Sequence, residues 1–204
     1  MKKLQLLTFA LLFTALTSFT IHHNSNSGYQ VGDVVEDFSL LNVNDKEVSL
    51  KDFPKAKGFI LIFTCNHCPF SVAYEDRIIA LDKKYKKLGY PVIAINPNNP
   101  EKQPADSFDL MKVRAKEKGF SFPYLFDKGQ EVSNKFWATK TPEVYILQKT
   151  DKGNVIQYTG AIDDNHEDAS VAKKKYVESA VDALLSNKKV SVTQTKAIGC
   201  SVKR

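Results

Sequence analysis

Only three cysteines occur among the 204 residues, at positions 65, 68 and 200, too few for a disulfide scaffold. There are four histidines and no second paired Cys/His motif, so a closed zinc site lacks a full ligand set. Excess charge is also scarce. The formal net of +6 falls to +4 when Lys2 and Lys3 are set aside. The lysines are scattered or grouped as solvated helix faces at Lys83-Lys84, Lys86-Lys87 and Lys173-Lys174-Lys175, which excludes a nucleic-acid partner. The apolar run from Leu4 to Leu16 is broken by Thr8 and Thr14 and is short for a membrane span. No cysteine follows directly, which argues against a lipoprotein anchor, and no internal repeat is present.

That N-terminal run has a basic start, a short apolar core and small polar residues after it, the plan of a secretory signal peptide. The sequence therefore predicts a signal peptide over 1–20, a flexible linker over 21–28, one domain over 29–187 and a polar tail over 188–204 carrying Cys200. The expected location is exported, periplasmic, with membrane tethering only if the signal segment stays uncleaved. An oxidising compartment gives a solvent-facing dithiol a task.

The dithiol is Cys65-Asn66-His67-Cys68, placed where the apolar run Phe59-Ile60-Leu61-Ile62-Phe63 gives way to helical spacing at Ile78, Leu81, Tyr85 and Leu88. With a helix opening at Cys65, unpaired N–H groups and the helix dipole favour a thiolate there. Cys65 is then the expected nucleophile and Cys68, one turn further in, the resolving thiol. Pro69 is tolerated in the first turn. His67 is expected to donate to, or pair with, the Cys65 sulfur and so stabilise the thiolate.

Short strands are expected in Val31–Leu40 and Lys46–Leu50, and buried strands at Phe59–Phe63 and Pro91–Ile95, the latter two joined by the helix as a parallel crossover. Asn96 to Pro104 reads as a loop, and Asp106 or Ser107 caps a helix that Gly119 stops. Tyr124–Phe126 reads as a strand and Gln130–Trp137 as a short helix, with Phe136 and Trp137 in the core or beside the substrate groove. Glu143–Leu147 and Val155–Tyr158 form a hairpin. A last helix buries Val177, Ala180, Val181 and Leu184.

This order, with Thr141-Pro142 opening the hairpin, resembles the thioredoxin superfamily. More narrowly, Thr64–Phe70, Phe122–Asp127, Thr141-Pro142, Gly160–Asp164 and Gly199–Lys203 are similar to its peroxiredoxin-like, redoxin-domain (AhpC/TSA-like) branch. The resemblance implies an α/β thioredoxin-like fold, a central mixed β-sheet flanked by helices with an N-terminal β-hairpin extension. It also implies that Pro142 is a cis-proline packed against the cysteine pair, that the backbone of Thr141 is free to pair with an extended substrate, and that Glu143 can accept a proton from Cys68. The implied activity is an extracytoplasmic thiol–disulfide oxidoreductase acting on protein or small-molecule thiols and disulfides with a separate redox partner, without cofactor or bound metal.

Two departures bear on this. Thioredoxin has an aspartate six residues before its first cysteine, where Phe59 stands here. Peroxiredoxins have Thr or Ser three residues before the reactive cysteine, whereas Thr64 directly precedes Cys65 and lies four before Cys68. The alternatives are a thiol peroxidase and a thioredoxin-fold copper chaperone using Cys65, Cys68 and His166. Cys200 is either a packing residue or a third redox thiol.

Overall fold

The computed structural model describes residues 28–204; the expected signal peptide, and the linker apart from Gly28, lie outside the described residues. Ten strands and four α-helices follow in the order β1 (Val34–Val35), β2 (Ser39–Asn42), β3 (Glu47–Ser49), β4 (Gly58–Phe63), α1 (Pro69–Tyr85), β5 (Val92–Asn96), α2 (Phe108–Lys118), β6 (Tyr124–Phe126), α3 (Glu131–Phe136), β7 (Lys140–Thr141), β8 (Glu143–Thr150), β9 (Gly153–Gly160), α4 (Tyr176–Leu185) and β10 (Cys200–Ser201). Eight strands form one mixed sheet in the order β1-β9-β8-β4-β5-β6-β2-β3, and β10 pairs with β7 separately.

The centre of the sheet follows from β4. Every residue of its apolar run is buried, which requires cover on both faces. Successive side chains point to opposite sides. Ile60 and Ile62 enter the core with α1, α2 and α4, through Ile78, Met111 and Val181. Phe59, Leu61 and Phe63 enter the core with α3 and the N-terminal strands, through Phe136, Val35 and Leu50. β4 and β5 are parallel, Ile60 opposite Val92, because α1 carries the chain back across the sheet. The hairpin β2–β3 extends one edge through β6, while β1 closes the opposite edge against β9.

Helix α1 buries Ile78, Leu81 and Tyr85 as the spacing predicts, but Leu88 lies past its end and is exposed. Gly89, in the left-handed region at φ 101°, closes the short 3₁₀ turn that follows. Of the two places expected for Trp137, the core is ruled out. Phe136 is buried against Phe63 and Tyr145, whereas Trp137 terminates α3 at φ 56° and its side chain is 57% exposed. The left-handed turn swings it away from the apolar face that Phe136 occupies.

The segment after α4, expected as a polar tail, lies along the sheet. Thr159 N–H donates to the Thr193 carbonyl at 3.0 Å and Thr195 N–H to the Thr159 carbonyl at 3.0 Å. These bonds lead it past the end of β9 toward β7.

Ile146, fully buried between β4 and β9, tests the core. Ile146→Ala is expected to lower unfolding free energy by about 2–5 kcal/mol in urea titration. A loss below about 1 kcal/mol would mean that this layer is not close-packed.

Candidate active site

The chain leaves the sheet after Phe63, with Thr64 N–H still bonded to the Ile95 carbonyl at 2.9 Å. Helix α1 starts at Pro69, and Cys68 is its N-cap residue, extended at φ −66° and ψ 122°. The expected start at Cys65 is thus displaced. Proline has its φ preset and no N–H to lose at the first helical position, and it disfavours helical geometry in the residue before it. Cys68, and not Cys65, stands at the positive end of the helix dipole.

Both thiols are buried and free. Cys65 Sγ lies 3.3 Å from Thr141 Oγ1, 3.7 Å from His67 Nδ1 and 3.9 Å from Ser71 Oγ. Both thiols touch Thr141 and each perturbs the ionisation of the other, so their environments set them apart. Cys65 is pushed up, first by its bond to Cys68, then by burial and the Asp106 carboxylate. Cys68 is pulled well below the ordinary thiol range, first by the hydrogen bond from Cys65; the Cys200 thiol and the Ser71 and Cys200 backbone amides add to this. Burial opposes it. So does the Thr141 carbonyl, 3.1 Å from Cys68 Sγ, which accepts from the thiol and loses that bond on ionisation. Several donors against one acceptor lower the Cys68 thiol relative to Cys65.

His67 reaches the Cys65 sulfur as expected, at 3.7 Å, but its nearer partner is a carboxylate. Its Nδ1 lies 2.6 Å from Asp106 Oδ2. Asp106, fully buried in a short 3₁₀ turn, also accepts from the backbone N–H groups of Asn66 at 2.8 Å and His67 at 3.2 Å, and from Asn98 Nδ2 at 2.7 Å. One carboxylate therefore anchors the loop between the cysteines. Sequence reasoning saw Asp106 only as a helix cap. Its sole signal was a carboxylate at the end of a loop rich in asparagine and proline, some forty positions from the motif.

The Thr141-Pro142 bond is cis, and Thr141 touches both cysteines, Cys65 through Oγ1 and Cys68 through its carbonyl. Two further expectations are overturned. Thr141 is not free for a substrate strand: β10 pairs with β7 and sets Cys200 opposite Thr141. Glu143 does not face Cys68. Its Oε2 accepts from Thr139 N–H at 2.8 Å and Lys140 N–H at 3.0 Å, and its Oε1 from Tyr145 at 3.4 Å, so it fastens the turn ahead of Pro142.

The copper set weighed from sequence also rearranges. His166 stacks on Phe70, ring centroids 4.7 Å apart. Among the described residues, Cys65, His67 and Asp106 are the donors that gather, within 4.8 Å of one another. Four N–H groups already occupy the Asp106 oxygens, which accounts for that carboxylate without a cation.

The family profile described as the AhpC/TSA family matches residues 31–166. A thiol-disulfide oxidoreductase ResA from Geobacillus thermodenitrificans is 27% identical over 148 residues, covering 70% of this chain and 79% of that protein. The crystal structure of an uncharacterized conserved protein from Geobacillus kaustophilus superposes with a TM-score of 0.79 at 34% identity, over 86% of this chain and 92% of the other. Peroxidoxin BcpB from Mycobacterium tuberculosis shares the fold, with a TM-score of 0.55 at 14% identity over 76% of this chain and 94% of its own.

Thiolate ultraviolet absorbance followed against pH tests the charge division. A depressed thiol is ionised above its midpoint and reprotonates as pH falls through it, so the first transition is expected below the free-cysteine value of about 8.5. Cys65→Ala removes the strongest donor and is expected to raise that midpoint by about one pH unit or more. Equal midpoints would remove the Cys65 hydrogen bond as the cause.

Proposed function

The chain belongs to the AhpC/TSA family, and we propose that it acts as an extracytoplasmic thiol–disulfide oxidoreductase through a Cys65/Cys68 dithiol, with Cys68 attacking first. The observation that carries this is the cap position of Cys68: a sulfur at a helix terminus, held toward the thiolate by a neighbouring thiol and pressed against the residue before a cis-proline. The ResA relatives, named thiol-disulfide oxidoreductases, support the same chemistry.

The Cys68 thiolate attacks a substrate disulfide. A Cys68–sulfur bond forms, the substrate S–S bond breaks and one substrate thiolate leaves. A second protein thiol then attacks Cys68 Sγ, releasing the other substrate thiol with the attacker's proton. The substrate disulfide is reduced and the protein dithiol oxidised; the same steps reversed oxidise a substrate dithiol. Thr141 positions both sulfurs, and the Asp106–His67 contact holds the loop between them. Export is inferred from the basic start and short apolar core of residues 1–20.

The peroxidase alternative is disfavoured by the same cap. With Cys68 as the reactive sulfur, the residue three positions before it is Cys65, so a thiol stands where peroxiredoxins have a hydroxyl.

Reduction of a small disulfide such as 5,5′-dithiobis(2-nitrobenzoic acid), and of insulin, tests the order of attack. Cys68→Ser is expected to form no mixed disulfide and to lose activity by roughly 10³-fold or more. A stable adduct on Cys65 in Cys68→Ser would reverse the assignment, and fast peroxide consumption would favour the peroxidase.

A further inference from the structure

The edge beside the cis-proline is filled by the chain itself. Strand β10 lies antiparallel to β7 with Cys200 opposite Thr141 and Ser201 opposite Lys140. The segment is fastened on both sides of Cys200. Beyond it, Val202 N–H donates to the Thr139 carbonyl at 3.1 Å and Lys203 N–H to Asn98 Oδ1 at 2.8 Å, while Asn99 N–H and Gln130 Nε2 each donate to the Lys203 carbonyl at 2.9 Å. Before it, Gly199 runs so close to Thr141 that a Cβ there would collide with the Thr141 carbonyl and crowd the Pro142 nitrogen. Glycine at 199 is what lets the sulfur of the next residue reach the site.

Cys200 lies opposite Thr141, whose carbonyl is 3.1 Å from Cys68 Sγ and whose Oγ1 is 3.3 Å from Cys65 Sγ, so the three thiols gather around one residue, and Cys200 and Cys68 shift each other's ionisation. Cys65 and Cys200 differ. Cys65 is 3% exposed and faces the Asp106 carboxylate, which penalises its ionisation. Cys200 is more exposed and faces Lys203 and Lys140, which favour its ionisation. Burial and then the Cys68 thiolate push Cys200 up, to about 11, but the Cys68 contribution disappears once that sulfur is bound in a mixed disulfide.

We propose that Cys200 is the thiol that resolves the mixed disulfide on Cys68, and that Cys65 then displaces it. This rests on Cys68 being the attacking thiol. Cys200 Sγ attacks Cys68 Sγ; the Cys68–Cys200 bond forms, the Cys68–substrate bond breaks, and the substrate leaves as its thiol with the Cys200 proton. Cys65 next attacks Cys68 Sγ, forming Cys65–Cys68 and returning the Cys200 thiol, its own proton passing to Cys200. The electrons come from the protein dithiol and go to the substrate disulfide, so no other oxidant enters.

Reduced full-length Cys65→Ser is mixed with glutathione disulfide, acid-quenched and mapped by mass spectrometry beside Cys65→Ser/Cys200→Ser. The expected product of the single variant is a Cys68–Cys200 disulfide with two glutathiones released; the double variant is expected to keep one glutathione on Cys68. A lasting glutathione adduct on Cys68 of the single variant, with Cys200 free, would overturn the role of Cys200 and leave the attack by Cys68 standing. No modification of Cys68 in any form, wild type included, would overturn the oxidoreductase reading and this proposal with it. Should the variants fail to fold, wild-type protein quenched at successive early times serves: Cys68–Cys200 is expected to precede Cys65–Cys68, and the reverse order refutes the relay.

Discussion

The register of β4 against β8 is the constraint on which the site depends. Pairing Phe63 with Glu143 brings the end of β4 beside the turn that contains Thr141 and Pro142. A slip of one residue would turn Ile60 and Ile62 toward the opposite core and carry Thr141 away from both sulfurs. Burial on both faces prevents the slip, since each face of β4 already fills a packed layer. The chemistry is thus held in place by apolar packing, while the polar contacts adjust only what that packing has brought together.

Within that frame, neighbouring thiols acquire opposite characters from small differences of place. Cys68 lies at a helix terminus with sulfur and amide donors around it; Cys65, three residues earlier, lies in a buried space beside a carboxylate. Two neighbouring thiols need only a modest bias for one of them to ionise first. Here helix end, donors and carboxylate all act in the same direction.

Much of this was legible in the residues. The apolar run of β4, the helical spacing of Ile78, Leu81 and Tyr85, and the stripe on α4 each carry a period that burial enforces. The start of α1 was legible too, but in Pro69 and not in the cysteines: a proline at the first helical position names the residue before it as the cap. Other features had no period to read. Strand β10 is two residues long and is fixed by partners some sixty positions away, and the role of Asp106 rests on backbone amides that any residue type would supply. Glu143 stood close to the cysteines in the expected fold, yet its carboxylate found nearer N–H groups in its own turn.

Asn98 links the two halves of the site. Its side-chain amide donates to the same Asp106 carboxylate that holds His67, and its carbonyl oxygen receives the Lys203 amide. The clasp on the C-terminal segment and the brace of the active-site loop are thus opposite ends of one buried amide group. Lifting β10 to uncover Cys68 withdraws a partner from Asn98 and shifts its hold on Asp106. Access to the sulfur and the rigidity of the loop that carries it are therefore a single degree of freedom, and the free energies of changing each do not add.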